Sequence, residues 1–115
     1  MNLDFNHSPS GDLVIALHGE FDALGTAGIR AGLEQVASSA GPALVVLDLS
    51  RVSFIDSSGV GAIVYLFKRL KALGRSLELT GVHGQVRELL ELLRVHKALP
   101  VHFLNSAAVA AEAVS

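Results

Sequence analysis

Apolar and polar positions alternate over Leu3 to Phe5 and again over Leu13 to His18, and Ser8-Pro9-Ser10-Gly11-Asp12 between them has turn chemistry throughout. A period of two on either side of a turn predicts a hairpin of two strands. Gly19-Glu20-Phe21-Asp22 closes the second strand. Asp22 is placed to cap a helix whose apolar positions Ile29, Leu33, Val36 and Ala37 share one face, until Gly41-Pro42 stops it. Ala43 to Leu49 is then continuous in Ala, Leu and Val apart from Asp48, the pattern of a central strand covered on both faces. A longer helix follows the turn Phe54-Ile55-Asp56-Ser57-Ser58-Gly59. Its apolar arc is Ile63, Val64, Leu66, Phe67, Leu70 and Leu73, and Gly74 stands just past its end behind Lys68, Arg69 and Lys71. Leu77, Leu79 and Val82 predict a fourth strand. Gly84 to Arg94 predicts a helix with Val86, Leu89, Leu90 and Leu93 inward, and Val101 to Phe103 a short strand behind Pro100. Asn105 or Ser106 caps a last Ala-rich helix to Ala113. The order β-β-α-β-α-β-α-β-α predicts one α/β (α+β) domain over residues 1–115, a mixed sheet of about four to five strands with about four helices packed on it.

The strand, turn and helix around Asp56 organise the rest. A helix N-terminus leaves up to four backbone N–H groups without intrahelical partners and carries roughly half a positive charge, so it tolerates an anion, including one added to a hydroxyl. Asp56 and Ser57 both have a side-chain oxygen that can cap this helix. Followed at three- and four-residue steps, the stripe away from the apolar arc reads Ser57, Gly61, Tyr65, Lys68. Gly61 costs about 0.8–1 kcal/mol relative to Ala and gains nothing locally. Two explanations stay open: another molecule docks against the bare backbone, or an element of the same domain packs closely there.

Composition narrows the chemistry. Half the residues are apolar, 17% are charged, the formal charge is −2, and there is no run of Lys or Arg, which argues against nucleic acid as a direct partner. The absence of cysteine excludes disulfides, thiol catalysis and thiolate metal sites. No apolar run approaches the roughly 18–20 residues of a membrane span, so a cytoplasmic protein without a membrane association is expected. The five histidines, His7, His18, His83, His96 and His102, contain no i,i+4 pair, so no metal site is expected. Gly59-Val60-Gly61 lacks the third glycine of a dinucleotide fingerprint, and no P-loop occurs, so no cofactor is expected. A nucleophile elbow needs a glycine where Ile55 or Asp56 stands, and no Ser-x-x-Lys exists. A phospho-acceptor aspartate of the receiver type, at Asp48 or Asp56, lacks its acidic pair, since the first strand offers only Asp4, and Lys97 is not followed by proline. The chain is expected not to be an enzyme.

Asp56-Ser57-Ser58-Gly59 with Val60-Gly61, preceded by Val45-Val46-Leu47-Asp48-Leu49-Ser50 and by Gly19-Glu20-Phe21-Asp22, resembles the STAS domain of bacterial anti-sigma factor antagonists. Leu79-Thr80-Gly81-Val82, Gln85-Val86-Arg87 and Pro100-Val101 match as well, so the resemblance runs over essentially the whole chain. It implies that Ser57 is phosphorylated by a partner that is both anti-sigma factor and serine kinase, with a histidine-kinase-like ATPase fold, and is dephosphorylated by a PP2C-type phosphatase. It implies partner switching, in which the unphosphorylated form binds the kinase and frees the sigma factor. With the stripe read from the helix itself, the expected contact residues are Asp22, Asp56, Ser57, Ser58, Gly59, Gly61, Tyr65 and Lys68, on a protein expected to be monomeric when free. Phe21 in place of Leu is a conservative departure from the family pattern, and Ala23-Leu24-Gly25 departs further. Other members of the superfamily are scaffolds, transporter-appended domains and a lipid-transport subunit; the free-standing length argues against the appendage. A non-sigma target, such as a regulator of secretion, biofilm or lipid transport, is the alternative.

Overall fold

The computed structural model describes residues 1–38 and 40–104. The hairpin forms as expected: β1 (Asn2–His7) pairs antiparallel with β2 (Leu13–Phe21), and Gly11 at φ 90° closes the turn between them. Then follow α1 (Ala23–Ser38), β3 (Leu44–Ile55), α2 (Ser57–Ala72), β4 (Ser76–Val82), α3 (Gly84–Leu92), a 3-10 turn (Val95–Lys97) and β5 (Val101–Phe103). The strands lie in sequence order, β1-β2-β3-β4-β5, and every pairing after the first is parallel. The mixed sheet with packed helices is the class expected. The helix expected from Asn105 or Ser106 lies outside the described residues.

The central strand differs from expectation in length and in cover. It continues past Leu49 to Ile55, and its pairing with β2 shifts twice: Ala16 faces Asp48 but His18 faces Arg51, and Gly19 faces Val52 but Glu20 faces Phe54. Each shift inserts one extra residue into β3, so Leu49, Val52 and Ile55, three apart, all stay in the core. A period of two loses the strand at Leu49 for that reason. Nor is the strand buried on both faces. Val45, Leu47 and Leu49 are buried, while Leu44, Val46, Asp48 and Ser50 between them are half-buried. Core side chains of α1 (Ile29, Leu33) and α2 (Ile63, Leu66, Leu70) join the inward residues of β2, β3 and β4 in one cluster.

The helix ends follow local rules. Gly74 adopts φ 71° beyond α2, with its N–H donating to the Lys71 carbonyl (3.0 Å) and that of Arg75 to Leu70 (2.8 Å), the Schellman arrangement. Leu73 and Leu93 were expected inward; both are C-cap residues and are half exposed, because the 3.6-residue period stops applying where the helix stops. Arg75, only 8% exposed, ties the layer together: its Nε donates to the Pro42 carbonyl (2.9 Å) and its Nη1 to that of Val36 (3.0 Å). Because β2 and β3 run parallel, both place their C-terminal ends, and the N-termini of the helices that follow, at one end of the sheet.

Candidate functional site at the start of the second helix

The two helices begin with the same four-residue pattern, Asp22-Ala23-Leu24-Gly25 and Asp56-Ser57-Ser58-Gly59. In each, the aspartate caps. Asp22 Oδ1 accepts from the Gly25 amide (2.8 Å), and Asp56 Oδ1 accepts from Ser58 (2.8 Å) and Gly59 (3.2 Å). Of the two capping candidates at α2 the structure selects Asp56, whose backbone is extended at φ −118°. In each helix the glycine at the third position is where the helix touches its neighbours. A Cβ on Gly25 would overlap the Glu20 carbonyl oxygen. One on Gly59 would overlap that of Phe21 and stand 2.7 Å from Ile55 Cγ1 and 2.9 Å from Phe21 Cγ. The Asp56 amide also donates to the Phe21 carbonyl (3.2 Å). The corner that presents Ser57 is thus seated on the end of β2.

It is held from the far side by a residue not singled out for a role in the sequence. The Gln85 amide clamps Ile55 across 30 positions, its Oε1 accepting from the Ile55 N–H (2.9 Å) and its Nε2 donating to the Ile55 carbonyl (2.8 Å). Replacing it leaves both backbone groups without partners, so Gln85→Leu is expected to cost about 2 kcal/mol in a urea melt. An unchanged midpoint and slope would show that the clamp contributes nothing. A side chain bonded to a distant backbone leaves no periodic trace. Its signals in the sequence were its place just after Gly84 at the start of a helix and the match of Gln85-Val86-Arg87 to the family pattern, and neither gave it a role.

Of the residues predicted to form the site, Ser57 is the first residue of α2 and exposed, and Ser58 is half-buried. Asp22 and Asp56 are half-buried, with oxygens already engaged as caps. Gly59 was expected at the partner surface and is instead buried, turned into the core contact with Phe21 and Ile55. Gly61 is exposed, with nothing within 4 Å of where a Cβ would stand, so close internal packing does not explain it. Ser58, Gly61 and Tyr65 line a groove between α1 and α2 together with Thr26, Arg30 and Glu34. Lys68 is exposed farther along the helix. Tyr65 is 40% exposed, and the Glu34 carboxylate, hydrogen-bonding its phenol, holds its pKa above the ordinary tyrosine value. Among the described residues no three histidines or carboxylates come together as a metal ligand set, and no helix is long and apolar enough to cross a membrane.

Residues 3–110 match the STAS domain family. The chain belongs to the STAS domain family. An anti-sigma F factor antagonist from Paenibacillus polymyxa is 27% identical over 92 residues, 80% of this chain and 79% of that protein. Among solved structures, an anti-sigma factor antagonist from Mycobacterium paratuberculosis superposes with a TM-score of 0.80 at 20% identity, covering 96% of this chain and 92% of that one. The Bacillus cell fate determinant SpoIIAA in its phosphorylated form does so with a TM-score of 0.70 at 20% identity, covering 97% and 99%. At such identities the structural likeness establishes the STAS fold, and the chemistry of this STAS domain has to be argued from its own residues.

Proposed function

We propose that this STAS protein is an anti-sigma factor antagonist that works by partner switching. Unphosphorylated, it binds an anti-sigma factor that is also a serine kinase and so releases a sigma factor; phosphorylation of Ser57 ends the binding, and a PP2C-type phosphatase restores it. The protein acts in the cytoplasm, as a binding partner and kinase substrate without catalysis of its own. The observation that carries this is the corner itself: an exposed serine at the first position of a helix, fixed below by Gly59 and Gln85, beside a glycine with open space in front of it. A hydroxyl there is accessible to a kinase, and a change at it alters the surface without entering the core. The Paenibacillus relative, an anti-sigma F factor antagonist, supports the same assignment.

The test is phosphorylation with the cognate kinase and ATP, read by intact-mass and peptide mass spectrometry. Wild type is expected to take one phosphate at Ser57, Ser58→Ala to retain it, and Ser57→Ala to take none. Stoichiometric phosphate on Ser57→Ala would sink the assignment. Because Ser58 is half-buried and its backbone amide, not its hydroxyl, is bound by Asp56, Ser58→Ala is expected to leave stability nearly unchanged.

A further inference from the structure

The exposed faces of the helices differ in charge. α3 exposes Arg87, Glu88 and Glu91, as a solvated helix face ordinarily does. Of the eight exposed residues of α1 only Arg30 is charged, and the face made by Leu24, Ala27, Gly28 and Ala31 is small or apolar throughout. α2 exposes only Ser57, Gly61 and Tyr65 over its first nine residues, and Lys68, Arg69 and Lys71 come after them. The uncharged stretches adjoin, since Ala23 and Ser58 line the same groove. Depletion of charge marks the centre of a protein–protein interface. One large apolar side chain stands on this surface. Leu24 is 84% exposed, more than any other large apolar residue among the described residues, and it lies outside the core cluster. Gly28, one turn farther on, has nothing within 4 Å of where a Cβ would stand.

The place of Leu24 relative to Ser57 follows from the register. Phe21 faces Ile55, and each is followed by Asp-x-x-Gly, so Leu24 stands in α1 where Ser58 stands in α2, one residue past the counterpart of Ser57. Packed helices lie about 8–10 Å apart. A stable interface takes about 800 Å² from each partner, a disc of about 16 Å radius. A protein that brings an active site onto Ser57 therefore also covers Leu24. We propose that Leu24 is the apolar anchor of the kinase interface: the serine kinase that acts on Ser57 spans both helix starts and takes the Leu24 side chain into an apolar pocket. This rests on the Ser57 reading and adds to it a docking contact on α1 that takes no part in phosphoryl transfer. A contact of that kind holds the bound substrate and the transition state equally, so its loss raises KM and leaves kcat as it was.

The probe is the recombinant kinase that phosphorylates wild type in the test above. Calorimetry with that kinase and ADP reads binding, and initial rates with ATP read phosphorylation. Leu24→Ala is expected to bind about tenfold more weakly, and Leu24→Asp at least about a hundredfold, with KM for the protein substrate raised and kcat unchanged. Leu24→Met keeps the apolar volume and should stay within about threefold of wild type. Leu24→Ala and Leu24→Asp should melt no lower than wild type, because Leu24 lies outside the core and either residue suits the first turn of a helix. Leu92, the last residue of α3, is 75% exposed and belongs to neither helix start, so Leu92→Ala is expected to bind as wild type does. Wild-type affinity in Leu24→Ala overturns the proposal, as does an equal loss in Leu92→Ala or a fall in kcat at unchanged KM. If Leu24→Ala takes phosphate at Ser57 with wild-type KM, the anchor fails and the Ser57 assignment stands. Phosphate on wild type at a residue other than Ser57 removes both.

Discussion

Gly59→Ala is expected to lower stability by about 3 kcal/mol, while Gly61→Ala, two residues along the same helix, raises it by up to about 1 kcal/mol. Both glycines are helical with ordinary negative φ, so backbone freedom explains neither. What differs is the space in front of them. A methyl on Gly59 would overlap the Phe21 carbonyl, which sits at the end of β2 and also accepts from the Asp56 amide, and it would press on Ile55 and the Phe21 ring. Phe21 and Ile55 are fully buried, and a carbonyl fixed by a hydrogen bond cannot turn aside without losing it. The whole start of α2 would have to lift. At Gly61 an added methyl meets nothing within 4 Å, so it gains helix propensity and narrows the unfolded ensemble. Urea melts of the two single variants measure the difference directly. A loss of stability in Gly61→Ala would show that the open space is filled in solution and would overturn the view of Gly61 as an interface position. Gly61→Glu should fold as well as wild type, yet it places a side chain and a negative charge at the groove, so binding to the kinase partner should fall by tenfold or more.

That contrast also marks the limit of what periodicity can say. Helix and strand identities, the Gly74 stop and the Asp56 cap candidate were legible because each rests on residues within a turn or two of one another. Gly59 and Gly61 are indistinguishable on that scale. Only the return of β2 beneath the corner, nearly 40 residues upstream, separates them. The repeated Asp-x-x-Gly at the two helix starts was present in the sequence, but its meaning needs the parallel pairing of β2 with β3 that sets both starts side by side. The far half of β3 was lost because two bulges change its inward spacing from two to three. Arg75 and Gln85 act on backbone atoms more than 25 positions away, which no local pattern records. The serine pair was legible as a candidate at a helix start; which serine faces solvent and which lines the groove follows from the helix phase that Asp56 fixes.

Phosphorylation of Ser57 is expected to weaken binding to the kinase partner by about a hundredfold while changing the protein's own stability by less than about 1 kcal/mol. From the sequence alone, a helix N-terminus with up to four unpartnered amides was expected to tolerate the phosphate. The structure assigns those amides otherwise. Ser58 and Gly59 donate to the Asp56 carboxylate and Val60 to the Asp56 carbonyl, which leaves the amide of Ser57 itself as the one in that turn without a partner among the described residues. A phosphate on Ser57 therefore gains the helix dipole and one amide, with the Asp56 carboxylate close by, and these oppose one another. Little net anchoring remains, so the phosphate projects from the corner and its charge of about −1.5 to −2 is presented outward. Against an acidic group of the partner about 10 Å away, at an effective dielectric of about 20, each unit pair costs about 1.7 kcal/mol, so the phosphate's charge costs about 3 kcal/mol, which is the hundredfold. Calorimetric titration of the two forms against the kinase partner measures it. Ser57→Asp, with about half the charge, should lose about tenfold. If charge is the cause, the gap between the two forms must shrink as salt rises from about 0.1 M to 1 M, because the screening length falls from about 10 Å to 3 Å. A gap that stays constant across that range would mean the phosphate acts by bulk alone, and equal affinity of the two forms would remove Ser57 as the switch.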